Sequence, residues 1–223
     1  MVESRDRKTA LVFGATGLTG RALTGLLLDD HHYARVVVFT RRPLRQNHSK
    51  LETIVNDLKE PESIAGKIQG NDVFCCLGTT MKKAGSKEAF RTVDLELPVK
   101  LAEIARANGV GKFLVISSIG ADPDSRNFYL RTKGQMEKEL EKFNFRQLSV
   151  FRPSLLIGER DEFRLGEAIG KFFYTLFSFL FIGPVKKYKG VNVRKLAKAM
   201  VKAANDDSGS RIYLTNEILE MGR

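Results

Sequence analysis

The chain has 223 residues, 43% of them hydrophobic, enough to bury a full core, and its length suits one domain with a modest appendage better than two. Its formal charge of +11 invites a nucleic-acid or anionic-membrane partner, yet the lysines and arginines are dispersed among Asp and Glu along several helices. The run from Lys133 to Lys142 reads as a solvated face, and no nucleic-acid partner is expected.

Met1 to Thr9 is charged and lacks the apolar segment of a secretory signal, so the expected location is cytoplasmic. Leu11-Val12-Phe13-Gly14-Ala15-Thr16-Gly17-Leu18-Thr19-Gly20 then runs an apolar strand into three glycines at three-residue spacing. Gly14 permits a tight turn, Gly17 lets a pyrophosphate approach the backbone and Gly20 allows close helix–strand packing, while the helix start offers N–H groups to phosphate. The first gap is one residue looser than in Gly-x-Gly-x-x-Gly, and an ordinary strand–turn–helix corner is the alternative reading. Thr19 to Leu28 follows as a helix with Leu23, Leu26 and Leu27 on one apolar face.

His31, His32 and His48 show no ligand spacing with Cys or clustered carboxylates, so no metal is expected. The second strand, Val36 to Thr40, ends in Arg41-Arg42-Pro43. A carboxylate in that place would hold the ribose 2′-hydroxyl of NAD. Paired guanidiniums instead grip a 2′-phosphate and stack on adenine, which favours NADP(H) over a merely solvated basic turn.

Leu51 to Val55 forms a short strand leading to Asp57, which either contacts an adenine amino group or caps the helix that begins near Glu60. Asp72 to Thr80 supplies the fourth strand and its exit loop. Ligands of a doubly wound sheet lie beyond the carboxyl ends of its strands, so Leu77, Gly78 and Thr79 should line the cofactor. Cys75 and Cys76 are the only cysteines and are adjacent, which argues against a structural disulfide between them.

A helix from near Val93 through Asn108 places Leu97, Leu101, Ile104 and Ala105 at helical spacing and stops at Gly109. Lys112 to Ile116 is almost wholly apolar, as a central parallel strand is, and ends at Ser117-Ser118, whose hydroxyls would face the glycine loop. Tyr129 and Lys133, four apart on the next helix through Glu141, project from one face. A neighbouring ammonium and a cationic nicotinamide stabilise phenolate, bringing Tyr129 toward acid–base work on a carbonyl or alcohol oxygen. Ser117 or Ser118 would hydrogen-bond that oxygen.

After Pro153 an apolar helix is expected from about Leu165 to Ile182. Its densest part is too short to span a bilayer, so no transmembrane segment is expected. It is read first as core over the pocket, with a greasy substrate wall or a dimer or membrane-surface contact as alternatives. Val193 to Asn205 is a basic amphipathic helix, and Arg211 to Leu214 a closing strand. Alternating strands and helices give an α/β fold, a doubly wound parallel sheet of Rossmann type. Residues 1–223 are read as a single domain, with 154–190 as the cover on the substrate side.

Taken together, Gly-Ala-Thr-Gly-Leu-Thr-Gly, Thr-Arg-Arg-Pro, Cys-Leu-Gly-Thr-Thr, Ser-Ser-Ile-Gly-Ala-Asp, Tyr-Leu-Arg-Thr-Lys-Gly and Val-Phe-Arg-Pro-Ser resemble the short-chain dehydrogenase/reductases. Within them the chain is similar to the atypical branch of the oxidoreductase-like Tat-interacting protein family. The resemblance covers nearly the whole chain. It implies NADPH bound by Thr16, Gly17, Leu18, Thr19, Arg41, Arg42, Leu77, Gly78, Tyr129 and Lys133. It also implies that Leu156 and Arg164 approach the nicotinamide end, and that Ser117 has the family's spacing from Tyr129. The expected function is NADPH-dependent reduction of a small or apolar carbonyl or enone by a monomer or homodimer. An NADPH-binding regulator read by a protein partner, or a nucleotide-sugar epimerase or dehydratase, is the alternative.

Overall fold

The computed structural model describes residues 7–158 and 190–223. Seven parallel strands form the main sheet. In chain order they are β1 (Lys8–Phe13), β2 (Tyr33–Thr40), β3 (Leu51–Val55), β4 (Asp72–Cys75), β5 (Lys112–Ile116), β6 (Gln147–Arg152) and, later, β9 (Arg211–Leu214). Between β6 and β9 the two-residue strands β7 (Leu156–Ile157) and β8 (Val191–Asn192) pair separately.

The sheet order is β3-β2-β1-β4-β5-β6-β9. Strand succession therefore reverses between β1 and β4, which opens a crevice at their carboxyl ends. The expected doubly wound Rossmann sheet is present.

Each inner strand is apolar on both faces because helices cover both. Leu11 and Phe13 of β1 point to one side with Val37, Val73 and Val115, under helices α4 (Leu97–Ala107) and α5 (Phe128–Glu141). Ala10 and Val12 point to the other side with Val36, Val38 and Phe74, under α1 (Leu18–Asp29) and α6 (Val193–Asn205). The inward stripe of α6, Leu196, Ala199, Met200 and Ala203, is fully buried, while its lysines stay outside. Asn192 caps that helix, its side-chain oxygen accepting the Arg194 N–H at 2.8 Å, which satisfies one of the free donors of the first turn.

Two short helices, α2 (Met81–Ala84) and α3 (Lys87–Arg91), precede a π turn at Thr92–Glu96 that runs directly into α4. Pro98 explains the widened turn. It has no N–H to return to the Asp94 carbonyl and its ring crowds that oxygen, and the Leu97 N–H bonds instead to the Thr92 carbonyl. The helix expected from Val93 is thus the end of a longer one, closed as expected at Gly109, whose φ is +79°.

The helix expected near Glu60 is a 3-10 helix at Pro61–Lys67. The β7–β8 pair, α2, α3 and a final helix α7 (Thr215–Met221) fall outside the sequence-based expectation. The expected helix Leu165–Ile182 lies outside the described residues, as does most of the segment 154–190.

Candidate functional site

The glycine corner is dictated by space. Gly14 has φ +84°, and a Cβ there would sit 2.6 Å from the Cys76 carbonyl oxygen. A Cβ on Gly20 would strike the Gly14 carbonyl, so α1 lies directly against the end of β1. Gly17 stands at the helix N-cap, where no side chain caps the turn and no acidic residue occupies it. That leaves a positive helix end for an anion.

A cavity of about 510 Å³ opens beside this corner, lined among the described residues by Thr16, Arg41 and Arg42. The Thr40 hydroxyl donates to the Arg42 carbonyl at 2.6 Å and shapes the turn that presents the two exposed guanidiniums. Leu77, Gly78 and Thr79 leave β4 next to the same corner, where the Cys76 N–H bonds the Phe13 carbonyl at 2.8 Å.

Asp57 is exposed, and its carboxylate accepts the Lys59 N–H at 3.1 Å. The following 3-10 helix starts from Glu60 without any side-chain cap. The capping alternative for Asp57 is therefore incorrect: its side chain closes its own turn first.

At the other end of the crevice, Asn127 caps α5 by accepting the Leu130 N–H at 3.2 Å, and Gly134 lets the helix ride on the Asp122–Pro123 backbone, where a Cβ would collide. Tyr129 and Lys133 consequently point inward and are buried. Tyr129 packs on Phe90, ring centroids 5.7 Å apart, and shares a side-chain hydrogen bond with Ser118. Ser117 turns the other way and donates to Glu137, which also pairs with Arg152. Of the two serines, the geometry brings Ser118 to the phenol.

Lys133 donates to the Asp94 carboxylate at 2.7 Å and reaches the Ile116 carbonyl at 3.5 Å. The other Asp94 oxygen accepts the Thr79 N–H at 2.8 Å. Burial works against the ammonium, but the Asp94 charge and hydrogen bond overcome it and hold the Lys133 pKa above its ordinary value. Burial also raises the Tyr129 pKa, and Asp94 adds to this while Lys133 and Ser118 oppose it. The sequence argument weighed Lys133 alone. Burial, helped by Asp94, keeps the phenol protonated in the free protein.

Asp94 and Glu137 are the site residues that sequence reasoning missed. Both left a signal: Asp94 falls on the same helical stripe as Pro98, Leu101 and Ala105, and Glu137 on that of Leu130, Lys133 and Leu140. A carboxylate on an apolar stripe needs a buried partner. The reading of Lys133 to Lys142 as a solvated face is corrected accordingly, since Lys133 and Glu137 are each 4% exposed.

Leu156 sits half-buried on β7, and Arg164 lies outside the described residues. Asp30, His31 and His32 do gather in space, their potential ligand atoms within 4.8 Å of one another. However, Asp30 already accepts the His32 N–H at 2.8 Å and the Asn205 amide at 3.0 Å.

A family described as NAD(P)H-binding matches residues 14–168. Protein HTATIP2 of Rattus norvegicus is 38% identical over 76% of this chain and 71% of its own length. The mitochondrial protein FMP52 of Eremothecium gossypii is 33% identical over 95% of this chain and 96% of its own. Among solved structures, MoeE5 in complex with UDP-glucose and NAD superposes with a TM-score of 0.69 at 18% identity, covering 96% of this chain and 80% of that one, which is a likeness of fold.

The chain belongs to the NAD(P)H-binding family, as an atypical short-chain dehydrogenase/reductase similar to HTATIP2. The nicotinamide cofactor expected from the glycine corner follows from that membership. The cytoplasmic expectation is overturned, because FMP52 relatives of three fungi are named as mitochondrial proteins. A charged N-terminal stretch says nothing against an organelle. Among the described residues no helix is long and apolar enough to cross a membrane.

Proposed function

We propose that the chain is an NADPH-dependent reductase of a small or apolar carbonyl or enone, with Tyr129 as proton donor. The observation that carries this reading is the convergence of Ser118, Tyr129 and Lys133 at the crevice that also contains the glycine corner. Arg41 and Arg42 beside the 510 Å³ cavity favour a 2′-phosphorylated coenzyme, for they supply two cations where a carboxylate would repel it. Thr16, Gly17, Leu18 and Thr19 are assigned to the pyrophosphate, Leu77, Gly78 and Thr79 to the coenzyme's flank, and Asp57 to the adenine.

Held by these residues, the coenzyme would supply the hydride that the carbonyl carbon takes up. Tyr129 gives its phenolic proton to the carbonyl oxygen, forming the alcohol, and Ser118 hydrogen-bonds that oxygen as charge develops on it. Lys133 stabilises the phenolate left behind until a proton returns from solvent. A phenol whose pKa burial has raised is protonated at neutral pH, the state a proton donor requires, and relies on Lys133 to stabilise the phenolate once the proton leaves.

The test is NADPH oxidation over a panel of aldehydes, ketones and enones. Tyr129→Phe is expected to lower kcat by about 100-fold or more, the scale of a lost acid–base group, with NADPH affinity nearly unchanged. Undiminished turnover in the variant would remove Tyr129 from the mechanism.

A further inference from the structure

Asp94 is the acidic group buried most closely against the proposed proton donor and its lysine. It is 1% exposed, held in the π turn that Pro98 imposes, with one oxygen 2.7 Å from Lys133 and the other on the Thr79 N–H at 2.8 Å. Burying a carboxylate costs several kcal/mol, and its pairing with an ammonium offsets that cost only when the geometry is good. A purely structural staple between α5 and the π turn could be apolar at less expense. What an apolar pair cannot do is set the field at a neighbouring hydroxyl.

We infer that Asp94 is a positioning residue for the proton donor: its carboxylate fixes Lys133, ties it to the β4 exit loop, and cancels part of the ammonium's field at Tyr129, so that the phenol keeps its proton. This rests on the reading of Tyr129 as the acid.

The groups facing Tyr129 are few. Lys133 comes from its own helix, Asp94 from the π turn, the Ser118 hydroxyl from the β5 exit and the Phe90 ring from α3. Cys75 of β4 acts on Lys133. Arg91 and Arg131, the nearby cations of α3 and α5, are engaged by the Gln135 side chain and the Ser125 carbonyl at 2.8 Å each. Burial favours the neutral phenol and Lys133 opposes it. With Asp94 beside it the pair is close to neutral and the phenol keeps its proton.

The test needs no substrate. In protein labelled with ¹³C at the tyrosine Cζ, the Tyr129 resonance is identified by its loss in Tyr129→Phe and followed through alkaline pH. In Asp94→Asn it is expected to ionise about one pH unit lower than in the wild type, the size of one removed neighbouring charge, while Asp94→Glu follows the wild type. If the amide variant folds poorly, Asp94→Ser, which leaves room for a water beside Lys133, gives the same reading.

With a carbonyl substrate, the alkaline loss of reduction moves to lower pH in step. A Tyr129 that ionises no earlier in the variant, including one protonated throughout in both, overturns the inference. Full turnover in Tyr129→Phe overturns the reading of Tyr129 as the acid instead, and the two failures are separate.

Discussion

On the proposed reading, Arg41 and Arg42 carry the preference between two coenzymes that differ by one phosphate. Both side chains are exposed, so their charge acts through water and its effect is screened. A charge-assisted hydrogen bond of this kind contributes roughly 1.5–3 kcal/mol, and the exposed setting puts the pair at the lower end. Replacing both by Ala is expected to weaken NADPH binding by about tenfold or more while leaving NADH binding nearly unchanged. Fluorescence titrations of each coenzyme at low and high salt check this. An equal loss for both would assign the arginines to general electrostatics, and no loss to a solvated turn.

Helix α5 carries the candidate site residues along one inward stripe and spaces them by turns: Tyr129, Lys133 and Glu137 are successive four-residue steps. Glu137 anchors Ser117 at the end of β5 and takes Arg152 from the end of β6, so it holds together the two strand ends whose exit loops form the floor of the site. Truncating one member of a buried ion pair strands the other, at a cost of roughly 3–5 kcal/mol. Glu137→Ala is expected to lose about that much in denaturant unfolding. Glu137→Leu combined with Arg152→Leu should recover most of it, because no orphaned charge remains; a double variant as unstable as the single would show that the pair does more than neutralise itself. The helix was legible from the Tyr129–Lys133 step, and β3, β5, α6 and β9 were legible with their observed limits. Its buried carboxylate was not, because alternating charges on a helix ordinarily signal a wet face, and only the partner from β6 shows which charge turned inward. The same holds for Asp94. The sequence shows an acid before a proline, but the ammonium that it meets lies 39 residues further on.

At the scale of the whole molecule, the topology followed from the order of motifs, since each motif sits at a strand end and strand ends share one edge of a parallel sheet. The opposite edge was illegible, because no local pattern links Lys8, Tyr33, Asp72 and Lys112. There the Tyr33 hydroxyl donates to Asp72 at 2.5 Å, Lys8 reaches the same carboxylate at 2.8 Å and the Ala204 carbonyl at 3.0 Å, and Lys112 joins that carbonyl at 2.8 Å. The network ties β1, β2, β4 and β5 to the end of α6, and it titrates. Burial raises the Tyr33 pKa well above its ordinary value, and the Asp72 charge and hydrogen bond raise it further. An unfolded tyrosine gives up its proton near pH 10, whereas the folded Tyr33 keeps it. The native state then binds more protons than the unfolded one, so this contribution is whole below about pH 10 and is lost as pH rises, at up to about 1.4 kcal/mol per pH unit. Tyr129 and Lys133, both with raised values, act in the same direction. Unfolding free energies measured between about pH 9 and pH 11 should therefore fall steeply. In Tyr33→Phe the baseline drops by about 1 kcal/mol for the lost hydrogen bond, but the slope becomes shallower by the share of one phenol. A slope equal to the wild type's would mean that Tyr33 ionises in the folded protein as readily as in the unfolded one, and that the network does not hold its proton.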